Sequence, residues 1–173
     1  MSEGKVTVNR APVLTLWAAV VAERLGFEWP EALTLGKAVA GLNAQSKGRA
    51  LGVFTPSEAR KGAEDRPGEE VRVELMGRQV RCTHTPDGLR ALDRDKPAKP
   101  ESVETYLQRK LGDALPRVRE AMSQLAQAFE PGDLHERAFS LYEAFRPAVA
   151  PGTRGWGQAG ELDLDVIRSL ARG

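Results

Sequence analysis

Residues 12–49 read PVLTLWAAVVAERLGFEWPEALTLGKAVAGLNAQSKGR, and the reading of this stretch decides the fold. Val13, Leu14, Trp17, Val20, Val21 and Leu25 recur at helical spacing. Leu16, Ala18, Ala19 and Ala22 make the other faces apolar too, which predicts a helix at the centre of a core. Asn9 suits its N-cap and Pro12 its first turn; Gly26 stops it. Pro30 starts a second helix with Glu31 at its positive end. Leu35, Val39 and Leu42 give that helix an apolar stripe, and Lys47-Gly48 ends it on a basic turn. Gly36, Ala40 and Ala44 recur every four residues, so another helix can approach closely. That neighbour is either the first helix or a second copy of the chain, which would make a homodimer.

Upstream, residues 1–9 form a short arm, extended at Val6 and Val8. Downstream, residues 50–54 (ALGVF) suit a short strand, and residues 55–70 are charged, rich in breakers and loop-like. Val71, Val73 and Leu75 then alternate, as do Val80 and Cys82, around a two-residue turn read at Gly77-Arg78 with glycine first. Arg72, Glu74, Arg81 and Thr83 would face solvent. Residues 85–99 read as a turn and linker. Helices follow over 100–111, over 113–129 with Leu115, Val118, Met122, Leu125 and Phe129 on one face, and from an Asp133 cap through Leu134, Ala138, Leu141, Tyr142 and Phe145. A glycine-rich loop at 148–160 leads to a last helix carrying Leu162, Val166, Ile167 and Leu170. The expected class is α+β, mainly α. It comprises an N-terminal helical hairpin (1–54), a flexible loop (55–70), a small β-hairpin with linker (71–99) and a C-terminal helical bundle (100–173), sharing one core.

With 173 residues, 41% of them hydrophobic, the chain can bury a core. Lys and Arg total 25 against 24 Asp and Glu, a net charge of +1, so any electrostatic function must come from local clustering. The single cysteine, Cys82, excludes an intramolecular disulfide and fits a reducing compartment. The N-terminus MSEGKVTVNR has no apolar signal core, and the longest apolar run, Val13 to Ala22, is about half of the ~20 residues that a membrane span needs. These features point to a soluble cytoplasmic protein.

Lys47 and Arg49 at the end of the second helix, with Arg72, Arg78 and Arg81 on the hairpin, are the candidate nucleic-acid contacts. A helix pair followed by a hairpin wing is a geometry that grips duplex DNA. The second helix nevertheless has few base-reading side chains: Asn43, Gln45 and Ser46 lie at its C-terminal end, whereas recognition helices read mostly with N-terminal residues. Contacts to phosphates, which position without reading sequence, are the expectation.

Other candidates are weaker. The loop PGTRGWGQAGELDLD (151–165) offers glycines and Arg154 to an anion. Glu161, Asp163 and Asp165, read as the first turns of the last helix, would repel one. Cys82 and His84 share a strand face, and with His135 and a carboxylate could hold a metal, but no second spaced ligand pair accompanies them. No cofactor motif is present, and an enzyme would need a cleft gathering His84, His135, Arg154 and a carboxylate.

VLTLWAAVVAERLGF, AVAGLNAQSKG and LYEAFRPAVAPGTRGWGQAGELDLDVIRSLA resemble the N- and C-terminal signatures of a conserved family of uncharacterised bacterial proteins. That resemblance implies one bacterial domain architecture and carries no activity. GRQVRCTHTPDGLRAL (77–92) is similar to the wing-to-last-helix segment of bacterial winged-helix regulators, which implies a helix after the TPDG turn. The combined expectation is a small non-enzymatic binding protein that contacts nucleic acid, DNA in particular. The alternative is a protein-interaction or regulatory module that uses an exposed apolar face of the helices at 113–145.

Overall fold

A computed structural model describes residues 5–50, 70–93, 96–148 and 159–172, without the side chains of 43–50 and 159. Its order is β1 (Lys5–Asn9), α1 (Arg10–Arg24), α2 (Trp29–Ala50), β2 (Glu70–Leu75), β3 (Arg78–Thr85), β4 (Gly88–Asp93), β5 (Lys96–Pro97) and α3 (Pro100–Leu111). A 3-10 turn (Gly112–Ala114), α4 (Leu115–Gln127), α5 (Pro131–Phe145), β6 (Ala159–Asp163) and α6 (Leu164–Arg172) complete it. The protein is α+β and mainly helical, as the sequence predicts, with two small antiparallel sheets, β1-β6 and β2-β3-β4-β5. Among the described residues no helix is long and apolar enough to cross a membrane.

The apolar-all-round pattern of α1 has the expected consequence. Every residue from Pro12 to Ala22 is buried, because α2, α3, α4, α5 and β1 all pack on α1. Trp17 is fully buried. Its indole Nε1 donates to the Ala138 carbonyl at 2.9 Å, and its ring meets Phe145 edge-on at 5.3 Å, so its polar atom is satisfied without water. At the crossing with α2, a Cβ on Gly36 would run into the Thr15 carbonyl and come within 2.9 Å of the Ala19 amide nitrogen. For Gly36, therefore, the close neighbour is the first helix and not a second copy of the chain. Gly26, at φ +118°, ends the pair's first member in a conformation open to glycine.

Several boundaries differ from expectation. The Lys47-Gly48 stop is not used: α2 continues to Ala50. The hairpin turn is Met76-Gly77, one residue earlier than Gly77-Arg78, and both residues have positive φ (52° and 78°). A two-residue turn with both central residues left-handed matches the strand twist. Met76 accepts a strain of about 1 kcal/mol there while its side chain is buried. Residues 88–93 and 96–97 are strands rather than linker, so Thr85–Leu92 is a strand–turn–strand and no helix follows TPDG. The helix read from 113 begins at Leu115 after a 3-10 turn. Asp133 sits inside the first turn of α5, whose N-cap is Glu130. Glu161, Leu162 and Asp163 belong to β6, drawn into extended form by pairing with the N-terminal arm, Val6 opposite Leu162. The strand expected at 50–54, the loop at 55–69 and the glycine-rich segment around Arg154 and Trp156 lie outside the described residues, apart from Ala50, which is in α2.

Gly36→Ala is expected to lower the unfolding free energy by roughly 2–3 kcal/mol through overpacking against the α1 backbone. Gly41, with nothing within 4 Å of an added Cβ, should instead gain about 0.5–1 kcal/mol on substitution by Ala. Urea midpoints of the two variants should move in opposite directions; equal shifts would refute the close approach.

Candidate nucleic-acid interface

The β2–β3 register decides which basic side chains meet. Arg72 stands opposite Arg81, and Glu70 opposite Thr83, so these four share one face of the hairpin by strand alternation. Glu70 sits between the two guanidiniums. Arg81 Nε and Nη2 donate to Glu70 Oε1 at 3.1 and 3.0 Å, and Arg72 Nη2 lies 3.5 Å from Oε2. The Glu70 side chain is only 13% exposed and that of Arg81 24%, while Arg72 reaches 47%. The carboxylate therefore offsets one of the two positive charges, and the more exposed arginine carries the remainder. The alternation predicts a solvent-facing Arg81; it is on the outer face but half-buried against Glu70.

Arg78 pairs with Leu75, which by alternation puts it on the side of Val80 and Cys82, at the hairpin tip. It does not join Arg72 and Arg81 on their face. Lys47 and Arg49 fall in the last turn of α2, and their side chains lie outside the described residues. Of the five sequence candidates, then, the fold brings Arg72 and Arg81 together. The residue that sequence reasoning missed is Glu70, read as a loop carboxylate. Its position two residues before Arg72 on an alternating strand was the available signal.

The sheet is held in place by polar side chains of α2 rather than by apolar contact alone. Along the part of β4 that the two-residue β5 leaves unpaired, the Leu89 and Ala91 N–H groups donate to Glu31 Oε2 at 2.9 Å and Thr34 Oγ1 at 3.1 Å. Glu31 Oε1 also accepts the Glu28 N–H at 3.0 Å, satisfying a donor at the start of α2. The Leu89 hydrogen bond is the main reason the Glu31 carboxyl is held below its ordinary range. Burial opposes it as the next largest effect, and the Glu28 bond and the nearby Arg90 and His84 charges add smaller contributions to the lowering. Arg90 itself is buried. Its guanidinium donates to the Leu89 and Asp87 carbonyls at 2.9 and 3.3 Å, a structural role.

The Cys82, His84, His135 grouping does not assemble. Cys82 is fully buried, its thiol contacting the Val80 carbonyl at 3.6 Å. Burial, with a contribution from Glu70, pushes the thiol pKa up to about 12. His84 is exposed, and His135 Nε2 instead meets the Glu74 carbonyl at 3.1 Å. Among the described residues no three His, Cys, Asp or Glu side chains cluster closely enough to hold a metal ion. Asp163 Oδ1 accepts the Asp165 N–H at 3.0 Å, so that carboxylate caps α6. A cleft of about 550 Å³ between α1 and α4 is lined by Val20, Glu23, Arg24 and Ser123. Its charged groups are committed: Arg24 donates to the Phe129 carbonyl at 2.9 Å, and Glu23 lies 3.8 Å from Arg119, whose guanidinium covers the Trp29 ring. No protein-family model, curated protein or solved structure matches the chain.

Two outcomes follow from these groups. Because the folded Glu31 carboxyl lies below its unfolded value near 4.5, its stabilising effect is present above that value and is lost as pH falls through the folded pKa. Urea midpoints taken from pH 7 down to pH 3 should decline less steeply for Glu31→Gln than for wild type; parallel curves would remove Glu31 from the acid response. The native protein should also leave Cys82 unmodified by a thiol reagent at pH 8 until denaturant is added.

Proposed function

We propose that this chain is a non-enzymatic cytoplasmic binding protein that contacts the phosphates of duplex DNA through the β2–β3 hairpin. The observation that carries the reading is the cross-strand pair Arg72 and Arg81 held on one hairpin face around a single carboxylate. A backbone phosphate can replace Glu70 as the partner of Arg72 and share Arg81, exchanging an internal counterion for an external one. Such contacts position a protein on nucleic acid without reading its sequence, in keeping with the scarcity of base-reading side chains on α2. In this reading Lys47 and Arg49, whose side chains lie outside the described residues, are further candidate phosphate contacts.

The alternative, a protein-interaction module using an exposed apolar face at 113–145, draws no support from the packing. Val118, Met122, Leu125, Leu134 and Phe145 are buried, and the one large apolar side chain exposed among the described residues is Val166, at 37%. A lone exposed valine is ordinary surface.

Binding to a random-sequence duplex, followed by fluorescence anisotropy across a salt series, tests the proposal. The expected result is micromolar affinity at low salt with log K falling linearly against log salt. Replacing Arg72 and Arg81 together by Gln should weaken binding and make that slope shallower by roughly 2, about 0.9 for each lost phosphate contact. Glu70→Gln should tighten binding by removing the carboxylate that competes with a phosphate for Arg72. No binding at low salt, or affinity insensitive to salt, would overturn the proposal.

A further inference from the structure

The strand β6 leads without a break into α6, and its partner is the N-terminal arm, β1. Five residue pairs join the two strands, from Lys5 opposite Asp163 to Asn9 opposite Ala159. On the other edge of β6, Glu161 and Ala148 exchange backbone hydrogen bonds of 2.9 and 3.0 Å. Val6 and Val8 point into the core, 9% and 4% exposed, and Leu162, opposite Val6, is fully buried. Lys5, Thr7 and Glu161 lie on the outside. The Lys5–Glu161 pair, at 3.7 Å and more than half exposed, adds little.

Neither β6 nor α6 has the means to hold its form alone. A two-stranded ribbon is marginal in water, and the nine residues of α6 fall short of the ~12–15 that an isolated helix needs. α6 buries Leu164 and Ile167 and packs mainly on α4, less on α5. Leu162, Val166 and Leu170 are spaced four apart, the stripe of a longer helix. Pairing with the arm overrides that pattern: Leu162 turns inward, while Val166 stays 37% exposed. Asp163 joins the two elements. It is the last residue of β6, held opposite Lys5, and its Oδ1 accepts the Asp165 N–H at 3.0 Å, capping α6. The residue that the arm fixes is therefore the residue that starts the helix.

We propose that the N-terminal arm is a strap that controls the C-terminal helix. Pairing of β1 with β6 sets Asp163 as the cap and seats α6 on α4; lifting the arm frees residues 159–172 as one cooperative unit while α1 and α2 stay folded. Local opening of this kind bares an internal face without global unfolding. Here that face is the side of α4 against which α6 packs. The strap makes no use of the hairpin arginines and does not depend on the reading given for them.

Amide hydrogen exchange of the full chain, read by mass spectrometry, tests this. In wild type, residues 5–9 and 159–172 should share one protection factor, lower than that of 12–22. Val6→Ala with Val8→Ala should lower protection across 159–172 roughly tenfold or more and leave that of 12–22 unchanged. Thr7→Cys with Glu161→Cys supplies a variant that tightens the strap. These residues face each other as a non-hydrogen-bonded pair, since Glu161 uses its backbone groups on Ala148, and both side chains are exposed. Oxidising the new pair should raise protection over 164–172 above that of the reduced form; Cys82 is buried and does not compete. Protection of 159–172 unchanged by the valine substitutions, or lost only in step with 12–22, would overturn the proposal. So would equal protection of 164–172 in the oxidised and reduced forms, because the helix would then open without the arm.

Discussion

α1 is enclosed on all sides, and that enclosure constrains the rest of the protein. A helix with no solvent face must be covered by several elements at once, so the N-terminal and C-terminal halves are obliged to meet on it. The tightest of these contacts is with α2 at Gly36, where backbone lies against backbone around Thr15 and Ala19. Because no side chain intervenes, the separation of the two axes is set there. The position of α2 in turn sets the position of the sheet through Glu31 and Thr34. A displacement at Gly36 would therefore reach the hairpin arginines by way of two hydrogen bonds on β4.

Polar side chains reaching distant backbone groups, rather than ion pairs, join the elements around that centre. Trp17 bonds α5, Arg24 the carbonyls after α4, Arg10 the carbonyl after α5, and His135 the β2 carbonyl of Glu74. The last three satisfy backbone groups at or near the end of an element, where the regular ladder has run out, whereas Trp17 reaches a carbonyl in the middle of α5. Ion pairs between elements also occur among the described residues. Lys5–Glu161 and Glu23–Arg119 are long and exposed, and pairs of that kind contribute between nothing and about 1 kcal/mol. The Glu70–Arg81 pair differs because it is partly withdrawn from water and uses two donors on one oxygen.

Much of this was legible locally. The apolar run of α1 with Thr15 inside it, the small residue at Gly36, and the alternation of Val71, Val73, Val80 and Cys82 are properties of short windows, and the structure uses each of them. What was not legible depends on partners far away in the chain. β6 looks helical on its own because Leu162 falls in register with Val166, Ile167 and Leu170; only pairing with residues 5–9 makes it a strand. β4 contains Arg90 where an alternating pattern wants a surface residue, yet that arginine is buried on carbonyls, so GLRALD carried neither a clear strand period nor a helical one. The hairpin turn slipped by one residue because Met76 is a poor left-handed residue in isolation and its burial cannot be read from its neighbours. For the candidate interface, the arginines were legible and their counterion was not. A glutamate in a run of Gly, Pro and Glu reads as solvated until the strand register sets it beside Arg72 and Arg81.

That counterion changes how the hairpin can act. Two arginines left free on a surface would lend the fold little and attract any polyanion. Held by Glu70, they contribute to the order of β2 and β3, and their attraction for a phosphate is reduced by the attraction they already satisfy. Removing one partner of such a pair costs more than the pair itself contributes, because the other charge is left partly buried. The exchange of Glu70 for a phosphate is therefore favourable only where the phosphate approaches Arg72, the exposed member, while Arg81 keeps at least one bond to the carboxylate. For the proposed phosphate contact, an arrangement of this kind would favour weak, salt-sensitive binding over tight binding, and would tie its strength to the strand pairing that brings the two guanidiniums together.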